Sequence, residues 1–130
     1  MSNTNEHLPA IFATIKTALE NCCPPMVVSK SSKDNFEIIG NKAVPYGYKK
    51  EIVSGMYFAS VVARKDKITF YFFCNYTHPE EFKTLAPTLM KCLKGKSCFH
   101  FKKAEEVNST ELATLLKTGM KIFKQEGYLL

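Results

Sequence analysis

The chain has no tryptophan, a single arginine (Arg64) and no apolar run of the roughly eighteen residues that a membrane-spanning helix needs. Its first eight residues carry polar side chains and Glu6 in place of a basic stretch followed by an apolar one. The sequence therefore predicts neither a membrane span nor a secretory signal. It also lacks a glycine-rich phosphate loop, a serine nucleophile elbow and a His-Glu-x-x-His motif. These absences leave the common enzyme classes unsupported.

Length and composition instead indicate a single folded domain. The chain has 130 residues, of which 45% are hydrophobic and 23% are charged. This amount of apolar chain is enough for one core and too little for two. We expect one domain over residues 1–130, with its core at about 8–125.

The charge is positive and comes almost entirely from lysine. Eighteen Lys and Arg against twelve Asp and Glu give a net charge of +6. Lysine holds a phosphate as a point charge, whereas sequence readout in nucleic acids usually uses the bidentate fork of arginine. The balance favours an anionic small molecule or an acidic protein surface as partner, and it disfavours specific nucleic-acid recognition.

The five cysteines form no recognisable framework. Their number is odd and no Cys-x-x-Cys pair occurs. We therefore expect reduced thiols, a cytoplasmic location and no cofactor.

Apolar periodicity divides the chain into helices and strands. It predicts a helix from His7 to about Cys22, a hairpin of strands 26–29 and 35–39, and a loop with edge pairing at 41–54. A second hairpin, 56–64 with 67–74, should form the centre of the sheet. Its second strand is apolar or aromatic on both faces, with Tyr71 and Phe73 on the second one, so we expect a cover on each side and leave open a homodimer through it.

The second half is predicted to contain two helices around one strand. A capping box from Thr77 to Glu80 should start the first helix, which runs to Leu93 and is kinked or split at Pro87. A half-buried strand follows at 97–102, and Asn108 or Ser109 caps a last helix that ends at about Gln125. The whole order predicts an α+β fold, with a mainly antiparallel sheet of about five strands packed with three main helices.

The most informative motif is Lys94-Gly95-Lys96-Ser97-Cys98. One interpretation is a helix C-terminus at which Gly95 adopts a positive φ and the lysines are solvated. The other is an anion site, in which the lysines attract the ligand and backbone donors complete its coordination. A second basic group, Arg64-Lys65-Asp66-Lys67, lies at the tip of the central hairpin, and Lys49-Lys50 form a third. The anion interpretation requires two of these groups to converge.

Cys98 and His100 lie two apart on a predicted strand and so share a face. With Cys74 as a third ligand they suggest a metal site, and by themselves a nucleophile and its base. Both interpretations compete with a structural one, in which Cys98 is a small thiol and His100 a hydrogen-bonded imidazole on a sheet face. Neighbours at this spacing do not easily touch, which weighs against the nucleophile.

Several of these segments together resemble the YdhG-like family. The likeness covers about Leu8 to Phe123 and is carried by Ser54-Gly55 to Phe58, the Arg64-Lys65 turn with the strand after it, helix 79–93, and Lys94 to Phe99. The resemblance implies a compact α+β domain of cytoplasmic, mostly bacterial proteins, generally without a known reaction.

One branch of that family is linked to frataxin-like iron delivery. Such a role relies on clustered carboxylates, because hard cations prefer oxygen ligands. The sequence of this chain does not fit it, since the first helix offers only Glu6 and Glu20. We expect a non-enzymatic binding module, with iron handling and a Cys98-dependent enzyme as alternatives. The predicted binding residues are Arg64, Lys65, Lys94, Gly95, Lys96, Cys98 and Tyr48.

Overall fold

The structure, a computed structural model, describes the backbone of residues 3–46 and 49–130 and the side chains of 8–45 and 49–130. The helices are α1 (Asn3–Glu20), α2 (Phe73–Thr77), α3 (Pro79–Lys83), α4 (Pro87–Met90) and α5 (Ser109–Gln125), with a 3₁₀ turn at Ala104–Glu106. The strands are β1 (Val27–Ser31), β2 (Asn35–Ile39), β3 (Val44–Tyr46), β4 (Glu51–Val53), β5 (Tyr57–Ala63), β6 (Ile68–Phe72), β7 (Leu93–Lys94) and β8 (Cys98–Phe101). No helix of the described residues is long and apolar enough to span a membrane.

The main sheet has six antiparallel strands in the order β1-β2-β5-β6-β8-β7. This confirms the α+β class and the central position of the β5–β6 hairpin. The sheet has one strand more than the five expected, because β7 pairs over only two residues with β8. Residues 41–54, expected as a loop with edge pairing, contain the strands β3 and β4, which pair antiparallel in a small sheet of their own.

Helices α1 and α5 cover one face of the sheet. The apolar stripe of α1 is buried, with Ile11, Ile15 and Leu19 at most 1% exposed. The predicted stripe of α5 is buried as well, and the Asn108 side chain accepts from the Glu111 backbone N–H at 3.0 Å to cap this helix. The core therefore lies between the helices and one side of the strands.

The other side of the sheet, which we call the open face, is polar. Strand pairing aligns Ser60, Tyr71, Cys98 and Lys94 in one row across four strands. Thr69 and His100 are aligned in the next row. This face thus carries hydroxyl, thiol, imidazole and ammonium groups, among which Ser60 and Thr69 are buried.

The expectation of an apolar second face on the central hairpin is wrong. Strand β6 ends at Phe72, and Phe73 instead begins α2, where its ring lies 6.5 Å from that of Phe123. Thr69 and Tyr71 occupy the second face. The apolar argument for a homodimer through this hairpin is thereby removed.

The Thr77 capping box is also wrong. Thr77 ends α2, and α3 begins at Pro79 with His78 as its N-cap and without a side-chain cap. Proline fixes its own φ and lacks an N–H, which suits the first position of a helix. Pro87 splits the region as predicted, but Leu93 belongs to β7 and not to a helix.

Candidate functional site

Two hairpins bring basic side chains to the same end of the open face. Lys67 belongs to the β5–β6 connection, Lys94 to β7, and Lys102 follows β8. Together with four neighbours they line a cavity of about 320 Å³. We call this cavity the basic groove; its lining residues are Lys67, Lys91, Cys92, Lys94, His100, Lys102 and Glu106.

The positive charge of the basic groove is largely uncompensated. The described residues contain one ion pair, Lys30 with Glu37 at 4.0 Å, and it lies elsewhere. Glu106 is the acidic lining residue, and its Oε1 accepts the backbone N–H groups of Lys102 at 2.7 Å and Lys103 at 2.9 Å. Four lysines therefore line the cavity together with one carboxylate, which is already engaged in holding the loop after β8.

The positive charge around the basic groove also acts on His100. Desolvation lowers the pKa of its imidazole first, and the charges of Lys67, Lys94, Arg64 and Lys102 lower it further. Each of these cations is thus near enough to repel a proton from the ring. The imidazole of His100 is therefore uncharged at neutral pH.

Cys98 and His100 touch, contrary to the expectation from their spacing. Cys98 Sγ lies 3.3 Å from His100 Nε2. Burial raises the pKa of the Cys98 thiol, and Arg64 and Lys67 lower it by less. The pair is therefore a protonated thiol beside a neutral imidazole at neutral pH, which does not favour a nucleophilic thiolate.

Arg64 extends the positive surface beyond the groove. Its Nη2 donates to the Tyr71 hydroxyl at 2.7 Å, and Tyr71 is paired with Cys98 across the β6–β8 ladder. The guanidinium therefore lies on the open face, next to the Cys98–His100 pair. Arg64 forms no ion pair with any described residue.

The structure brings together some of the predicted binding residues and separates others. Arg64, Lys94 and Cys98 lie together around His100. Lys65 is exposed and does not line the groove. Lys96 turns away, with Nζ 5.6 Å from the centre of the Tyr76 ring. Tyr48 lies outside the described residues.

Gly95 has the positive φ that was predicted, +86°, but for a different reason. It lies in the turn between β7 and β8 and not at a helix C-terminus. A Cβ at Gly95 would meet no atom within 4 Å, so open space surrounds the turn. The glycine allows the hairpin that carries Lys94 to close.

Sequence reasoning missed Lys91 and Lys102, and it placed Lys67 in the basic hairpin tip without counting it among the binding residues. Strand alternation contained a signal for Lys102, because it follows His100 by two positions and therefore shares its face. Lys67 precedes Thr69 by two positions and Tyr71 by four, so the same alternation places Lys67 on their face. Only the pairing of β6 with β8 shows that these two alternating series lie side by side.

Cys74 does not join the Cys98–His100 pair. It is buried on the helical side, where its thiol donates to the Gly119 carbonyl at 3.7 Å. Among the described residues, no group of three or more His, Cys, Asp and Glu side chains is placed to hold a metal ion. The three-ligand set suggested by the sequence is therefore wrong.

A larger cavity of about 730 Å³ lies between α1 and α5. Small and apolar side chains form most of its lining, and Lys117 is its one charged lining residue. It offers little to bind an anion.

Comparison of the chain with models of known protein families, with curated proteins and with solved structures finds no match. The resemblance to the YdhG-like family stays a prediction. Function must therefore be argued from the basic groove itself.

Proposed function

We propose that this protein is a non-enzymatic binding module that holds an anionic small molecule in the basic groove. The observation that carries the proposal is the placement of Lys67, Lys91, Lys94 and Lys102 around one cavity with a single, already engaged carboxylate. Like charges at close range raise the energy of the free protein, and a bound anion relieves this repulsion.

The shape of the site favours a small ligand over an acidic protein surface. Ligand pockets usually measure about 300–1,000 Å³, and the groove, at about 320 Å³, lies at the lower end of that range. An acidic protein would need a broad, flat basic surface, whereas these lysines surround a recess. The cytoplasmic location expected from the cysteines is part of the proposal, since phosphorylated metabolites are abundant there.

Lys94 and Lys96 provide a matched pair for the test, because they flank Gly95 on one hairpin and only Lys94 lines the groove. Binding of inorganic phosphate and sulfate is measured calorimetrically at low salt. Lys94→Glu should weaken binding by about tenfold or more, since a hydrogen bond to a charged group contributes about 1.5–3 kcal/mol. Lys96→Glu makes the same change in net charge and should leave the affinity within about twofold of the wild type.

Equal effects of the two substitutions would show that net charge, and not the groove, attracts the anion. Absence of measurable binding to the wild type at low salt would overturn the proposal outright. Circular dichroism of both variants checks that the fold is intact.

A further inference from the structure

The positive charge of the groove and Arg64 exceeds the negative charge of one phosphate. A phosphate monoester carries about −1.5 to −2 at neutral pH. The four lysines of the groove, less Glu106, leave about three positive charges, and Arg64 adds a fourth beside them. A single phosphate would therefore neutralise only about half of this charge.

Arg64 and the groove are two distinct binding points on one surface. The guanidinium has five N–H donors, of which the Tyr71 hydroxyl takes one. The remaining donors form a planar fork that suits a carboxylate or a phosphate. Arg64 does not line the groove, yet its hydrogen-bond partner Tyr71 is paired with Cys98, whose thiol lies 3.3 Å from the groove residue His100.

We infer that the ligand is a small molecule with two anionic groups, a phosphate held by the lysines of the basic groove and a second phosphate or carboxylate held by Arg64. This inference rests on the proposed function and names its ligand class. Cys98 is paired with Tyr71, which holds Arg64, on one side and with Lys94 of the groove on the other, so the part of the ligand that joins the anionic groups would pass over Cys98.

The hydroxyl of Tyr71 acts as a positioning group in this arrangement. Its hydrogen bond fixes the guanidinium on the open face and so reduces the entropy that Arg64 loses on binding. Tyr71→Phe should weaken binding of a double anion and leave that of a single anion unchanged. A structural role alone would lower stability and affect both ligands equally.

The experiment measures the binding affinities of methylphosphonate and of a series of alkane diphosphonates of increasing chain length. The proteins compared are the wild type, Arg64→Lys and Lys94→Glu. At least one diphosphonate should bind the wild type about tenfold more tightly than methylphosphonate. Arg64→Lys keeps the charge but loses the fork, so it should remove most of that gain while methylphosphonate affinity changes by less than about twofold. Lys94→Glu should weaken both ligands.

The outcomes separate this inference from the proposed function. If methylphosphonate binds and no diphosphonate binds more than about threefold more tightly, the protein takes single anions and the inference is wrong. The same conclusion follows if Arg64→Lys weakens both ligands to the same extent. If no phosphonate binds at all, the proposed function fails and the inference fails with it.

Discussion

At the scale of single residues, the pair Cys98 and His100 shows what a sequence pattern can and cannot establish. Alternation along β8 predicts that both side chains share the face opposite Phe99 and Phe101, which the structure confirms. It could not predict their contact, because the 3.3 Å separation depends on the rotamers of two side chains. Their electrostatic surroundings depend on Arg64 and Lys67, which come from another hairpin.

Protonation of His100 should be coupled to anion binding. Its pKa is lowered by desolvation and by Lys67, Lys94, Arg64 and Lys102, so the ring is neutral at pH 7. The other ionisable groups facing it are Cys98, Cys92, Lys91 and Glu106. A bound anion opposes the cations and raises the His100 pKa, so binding takes up a proton at pH values near and below about 6.5.

The affinity for sulfate, whose own charge is constant over this range, should therefore rise as the pH falls from 7.5 to about 5.5. Titration calorimetry at several pH values measures this, with His100→Gln as the control that should show a flat profile. A pH dependence of equal size in the variant would assign the effect to another group.

At the scale of secondary-structure elements, long periodic segments are predictable and short ones are not. The stripe of α5 and its Asn108 cap follow from the sequence, because seventeen residues repeat one pattern. The segments α2, α3 and α4 have four or five residues each and are delimited by Pro79 and Pro87. Strand β7 exists only through its two pairs with β8, a tertiary contact that no local pattern contains.

The packing of α5 on the sheet depends on Gly119. A Cβ there would lie 2.7 Å from Phe72 Cζ and 3.0 Å from Phe58 Cε1, and both rings are fully buried. Gly119→Ala should destabilise the protein by about 1–2 kcal/mol, since the overpacking cost exceeds the gain of about 1 kcal/mol in helix propensity.

Chemical denaturation measures this change. Ala113→Gly, at an exposed position of the same helix, is the matched control and should destabilise by about 1 kcal/mol through propensity alone. A more stable Gly119→Ala variant would mean that α5 does not lie close against the β5–β6 hairpin.

At the scale of the whole molecule, the sequence predicts the fold class and the central hairpin but not the composition of the site. The pattern identifies which face each strand residue occupies, whereas strand order decides which residues become neighbours. Lys67 and Lys94 are far apart in the chain, and the β6-β8-β7 order brings them to one cavity. The same order places Lys94 in the groove and leaves Lys96 beside Tyr76.

The basic groove should bind inorganic phosphate as a specific, saturable site. The most direct measurement is an NMR titration with inorganic phosphate at low salt, which follows the His100 ring and the lysine side chains. We expect saturable shifts with a common dissociation constant for His100 and for the groove lysines Lys67, Lys91, Lys94 and Lys102, and no comparable shift of Lys96 or Lys117. Weak, unsaturable shifts spread over all lysines would contradict this expectation, because they would show a diffuse ionic atmosphere and no site.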